Sequence, residues 1–162
     1  MDHRWPPLLA LCTALACDAE FTDLRPAPLQ VAFDVDGGFV DTGPLPTSDV
    51  VYASGPMAPR GSYSAAGTAS LVIRSTGALE LELDEGFRVS GVPGPVVVLS
   101  RRASIGRRID PELGDVELGT LEANSGLQRY PIPSHALDAS YAWVYCRPFG
   151  VEIARAVLER VP

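Results

Sequence analysis

Apolar and polar side chains alternate along much of this chain, most plainly at Ala78-Leu79-Glu80-Leu81-Glu82-Leu83-Asp84. Successive side chains of a strand point to opposite faces, so this run predicts a strand with Leu79, Leu81 and Leu83 inward and the acids in water. Gly67-Thr68-Ala69-Ser70-Leu71-Val72-Ile73-Arg74 is a strand by its β-branched content, closed by the turn Ser75-Thr76-Gly77. Phe87 and Val89 continue the sheet, and Gly91-Val92-Pro93-Gly94-Pro95 makes a rigid corner. Pro95-Val96-Val97-Val98-Leu99 is continuously apolar, as a strand covered on both faces should be. Val116, Leu118 and Leu121 resume the pattern, which ends in an aromatic strand, Trp143-Val144-Tyr145-Cys146-Arg147-Pro148-Phe149. Residues 18–59, rich in Pro, Asp and Thr, predict a linker with room for one or two strands. The expected fold is an all-β, sandwich-like single domain.

Composition narrows this picture. A chain of 162 residues accommodates one domain and an export segment. Its 15 Gly and 15 Pro favour short strands and turns over a helical bundle. The net charge of −7 argues against nucleic acid as a partner. Lysine is absent, which excludes mechanisms that need its amine.

The N-terminus reads as an address. Arg4 precedes an apolar run from Pro6 to Leu15, too short to span a bilayer, and Ala14-Leu15-Ala16 precedes Cys17. Two readings share these residues: cleavage after the A-x-A pattern, or a lipoprotein signal in which Cys17 becomes a lipidated first residue. Residues 1–16 are then the signal segment, 17–60 the anchor cysteine and linker, and 61–160 the β domain. Lipidation makes the membrane a partner through the anchor and places the chain in the cell envelope, periplasmic or at the cell surface. With Cys12 removed, Cys17 and Cys146 remain. A lipidated Cys17 leaves Cys146 the one thiol; a free Cys17 leaves a disulfide between them open.

Cys146 is the candidate redox thiol or ligand, with Tyr130, Trp143 and Tyr145 as supporting aromatics. On a strand Val144, Cys146 and Pro148 share one face, whereas Trp143, Tyr145 and Arg147 share the other, so Arg147 points away from the thiol. Past the signal, His135 is the only histidine and Met57 the only methionine available as further ligands, and no metal site is expected. The absence of C-x-x-C and C-x-x-C-H excludes dithiol exchange of the thioredoxin kind and covalent c-type haem. A nucleophilic set of Cys146, His135 and Asp138 is available only if the intervening loop folds back. Arg101, Arg102, Arg107 and Arg108, followed by Asp110, Glu112, Asp115 and Glu117, suit a solvated loop whose charges offset one another, or an anion or lipid-headgroup site.

Two resemblances follow from the motifs. Leu29-Gln30-Val31-Ala32-Phe33-Asp34-Val35-Asp36-Gly37-Gly38 resembles the first motif of haloacid-dehalogenase-like phosphatases, with Asp34 as nucleophile and Asp36 as acid/base. Gly38 replaces the usual threonine and the lysine is missing, so a strand ending in an Asp-Gly turn is the simpler reading. The ordered set Gly67-Thr68-Ala69, Leu79 to Phe87, Gly94-Pro95 with Val96 to Leu99, Leu118-Gly119-Thr120-Leu121, Gly126-Leu127-Gln128-Arg129-Tyr130-Pro131-Ile132-Pro133, Trp143 to Phe149 and Ala154 to Leu158 resembles the DM-thirteen domain family. Val96 stands where that family often has an acid. The resemblance implies a mostly β extracytoplasmic domain that takes part in electron transfer or oxidative modification. In it Cys146 acts as a thiol or as ligand to a prosthetic group such as haem. The alternative is a non-enzymatic surface-binding or structural domain with Cys146 buried.

Overall fold

The computed structural model describes residues 46–162. The expected signal segment, Cys17 and the Asp34 and Asp36 motif lie outside the described residues. Among these residues eleven strands are connected by turns and three short 3-10 turns. They are β1 (Val50–Pro59), β2 (Ala65–Ala66), β3 (Thr68–Ile73), β4 (Leu79–Leu83), β5 (Arg88–Val89), β6 (Pro95–Ser100), β7 (Val116–Thr120), β8 (Gln128–Pro131), β9 (Tyr141–Cys146), β10 (Val151–Val157) and β11 (Glu159–Arg160). The large sheet runs β7-β6-β9-β10-β1-β3-β4-β8, with β11 added to β1, and its ladders are antiparallel. End strands β7 and β8 approach each other, so the sheet curls into a nearly closed, barrel-like all-β domain. β2 and β5 form a separate two-stranded pair.

The folded domain begins earlier than the expected boundary at residue 61. β1, assigned above to the end of the linker, lies between β3 and β10 at the centre of the sheet. Its sequence hides it, because Gly55 and two prolines interrupt the apolar pattern and a bulge between Val51 and Ala53 shifts the period. Gly55 is required by close approach. A Cβ there would sit 1.8 Å from the Val157 carbonyl oxygen.

Strand alternation sorts the core into two clusters. Inward from β6 and β9 point Val97, Leu99, Ala142, Val144 and Cys146, meeting Leu71 of β3, Leu81 and Leu83 of β4 and Tyr130 of β8. Outward from the same two strands point Val96, Val98, Trp143 and Tyr145, and Ile105 of the following loop covers them. The register explains the division: Val97 faces Val144, whereas Val98 faces Trp143 and Val96 faces Tyr145. On β4, the acids alternating with the buried leucines meet a cation, as Arg74 binds Glu80 and Glu82 at 2.7 Å each.

Candidate functional site

Cys146 closes the inward row of β9. It is 3% exposed and free, and its Sγ donates to the Pro93 carbonyl at 3.1 Å. The donor geometry follows from the corner expected at residues 91–95: Gly94, at φ 57°, turns the chain back over the end of β9. The aromatic strand expected to run to Phe149 ends at Cys146, because Arg147-Pro148-Phe149 forms a 3-10 turn, and from that turn Arg147 reaches Glu117 at 3.0 Å.

The proposed supporting aromatics divide between the two faces. Tyr130 shares the inner cluster with Cys146, and its hydroxyl donates to Gln128 Oε1 at 2.8 Å. Burial raises its pKa. Trp143 and Tyr145 lie on the opposite face, so neither touches the thiol. Met57 is buried in the inner core. His135 and Asp138 are exposed and precede the start of β9, whereas Cys146 ends it. Six extended residues separate the ends of such a strand by about 17 Å. The Cys146, His135 and Asp138 set is therefore not assembled, and Asp138 instead pairs with Arg101.

A haem-type ligand needs an open face on the sulfur. Here the sulfur sits in the inner cluster with its proton on Pro93, and the residues present do not fit such a group. Among the described residues no group of three or more His, Cys, Asp or Glu side chains is placed to hold a metal ion. Among them also no helix is long and apolar enough to cross a membrane.

Sequence reasoning missed the carboxylates that organise the outer face. Residues 101–111, expected to be solvated, pack onto Trp143 through Ile105, which is 2% exposed. Glu152 pins the middle of this loop: its Oε1 accepts from Ile105 N at 2.7 Å, Gly106 N at 3.2 Å and Ser104 Oγ at 2.7 Å. Asp115 pins the ends, accepting from Ser100 Oγ at 2.7 Å and Asp110 N at 2.8 Å while pairing with Arg102. Burial works against both charges, but these hydrogen bonds outweigh it and hold both pKa values below the ordinary carboxylate range. Tyr145 Oη donates to the Gly106 carbonyl at 3.1 Å, and Arg155 to that of Ala103 at 2.9 Å. Only the acid at Glu152, breaking the apolar row Val151-Glu152-Ile153-Ala154, hinted at this from the sequence.

Beyond the loop the outer face opens into a cleft of about 470 Å³. Arg107, Arg108, Ile109, Pro111, Glu117, Tyr145 and Arg147 line it. Comparison with protein-family models, with curated proteins and with solved structures finds no match to this chain.

Proposed function

We propose that this chain is an exported cell-envelope domain of the DM-thirteen type, held at the membrane by lipid on Cys17. In this reading it serves as a non-enzymatic binding or structural module with Cys146 in its core. The observation that carries it is the state of the thiol, 3% exposed and donating to the Pro93 carbonyl. Attack on a disulfide or binding of a metal needs access to the sulfur, and here the corner at residues 91–95 covers it. The ordered motifs support the family reading, and the apolar run before Cys17 supports export.

A second reading, the redox module implied by the resemblance, has its own support. The segment over the sulfur is a single layer of chain in which Gly91, Pro93 and Gly94 are exposed. If that corner lifts, the Cys146 thiol gives its proton to solvent and the thiolate attacks one sulfur of a partner disulfide; the partner S–S bond breaks as the mixed disulfide forms, and the departing thiolate takes a proton from solvent.

Labelling of the full chain with a thiol reagent, read at Cys146 by peptide mass mapping, separates the two. The structural reading expects Cys146 to label only as the protein unfolds. Rapid labelling of the folded protein, with unfolding much slower than labelling, overturns it in favour of the redox module.

A further inference from the structure

We propose that the cleft over Tyr145 is a binding site for a phosphate monoester, free or as a lipid headgroup. The charge would sit on Arg107, Arg108 and Arg147, and the organic part on Ile109 and Tyr145. Three guanidinium groups and one carboxylate, Glu117, line this cleft, an excess of two positive charges on a chain whose net charge is −7. The absence of lysine throughout the chain accounts for the residue type but not for the convergence of these three from two separate segments. That convergence is built. Gly150, at φ 63°, follows the turn that carries Arg147, and a Cβ on it would lie 2.5 Å from the Arg107 carbonyl oxygen. The loop and the turn therefore touch backbone to backbone, bringing their arginines to one opening.

The cations are poorly neutralised by the protein. Arg147 donates to Glu117 at 3.0 Å, and Arg108, 85% exposed along its side chain, reaches Asp110 only at 3.5 Å. Among the described residues no carboxylate pairs with Arg107. Guanidinium forks match phosphate oxygens two at a time, and an excess of two charges matches a dianion. A volume of about 470 Å³ falls within the range of small-ligand sites and leaves room beside the phosphate. Tyr145, 1% exposed and with its hydroxyl committed to Gly106, closes the cleft from beneath, and the partly exposed Ile109 presents the apolar wall.

The test uses the full chain carrying Cys17→Ser, which removes the acyl anchor, alongside an Arg107→Gln, Arg108→Gln double variant. Phenyl phosphate and inorganic phosphate are titrated by calorimetry at low and high salt, and sedimentation is measured with vesicles of phosphatidylcholine with and without phosphatidic acid. Phenyl phosphate is expected to bind more tightly than inorganic phosphate, to weaken with salt, and to lose about tenfold or more in the double variant. Sedimentation only with phosphatidic acid, lost in the variant, assigns the site to a headgroup. Phenyl phosphate binding without sedimentation assigns it to a free ester. The proposal fails if neither probe binds, or if the double variant, melting at the same temperature, binds as the parent does.

Discussion

Asp115 concentrates more of the outer face's order than any apolar residue there. Four donors converge on it, from Ser100, Arg102 Nε and Nη2, and Asp110 N, at a site 2% exposed. Asp115→Ala removes their acceptor and leaves Arg102 uncompensated, which costs about 3 kcal/mol for a broken buried pair. Urea unfolding should show the loss, while Asp138→Ala, breaking the exposed pair with Arg101, should shift stability by less than about 1 kcal/mol. At Cys146 the substitution to Ser keeps a donor for Pro93 but puts a hydroxyl into an apolar cluster. The expected cost is about 1 kcal/mol, checked by the same measurement. The facing of Cys146 was legible because period-two alternation needs only neighbouring residues. The partners of Asp115 and Glu152 were not, because each depends on which distant loop folds over which strand.

At the scale of elements, legibility follows regularity. β4 and β6 read directly from their patterns, one alternating and one continuously apolar, because no glycine or internal proline interrupts them, and the irregularity where β6 pairs with β7 leaves the apolar run intact. β1 did not, since its bulge against β3 and the glycine that admits the Val157 carbonyl are also what break the pattern. Gly55→Ala forces a methyl group against the Val157 carbonyl, where backbone has to move. The cost is about 3 kcal/mol, the upper part of the range for overpacking, and thermal unfolding will register it. Gly61→Ala is the control for a glycine whose added methyl meets nothing within 4 Å. Its positive φ still makes it mildly unfavourable, by about 1 kcal/mol.

For the whole molecule, the same carboxylates set the response to pH. Asp115 and Glu152 have folded pKa values below their unfolded ones, and Glu82 joins them through its hydrogen bond from Arg74. The unfolded chain therefore binds protons first as pH falls, at about 4. Their stabilisation is complete above that pH and is lost as pH falls through the folded values. At Tyr130 and Tyr145 burial is not outweighed and the pKa values are raised, so their contribution holds below about pH 10 and is lost as pH rises through the folded values. A melting temperature flat from about pH 5 to about 9, falling below and above that range, is expected from scanning calorimetry.

The seat of Trp143 makes the outer loop visible to light. Its indole is fully buried beneath Ile105, with Nε1 unpartnered and the guanidinium groups of Arg60 and Arg155 over its ring. An indole so enclosed emits at short wavelength and is shielded from iodide. Lifting residues 101–111 would wet it, shifting emission to the red and admitting the quencher before the sheet itself unfolds. Once the segment before Cys17 is removed, or with Trp5→Phe where it is retained, Trp143 is the one indole, and that signal would time the motion of the loop separately from the loss of the fold.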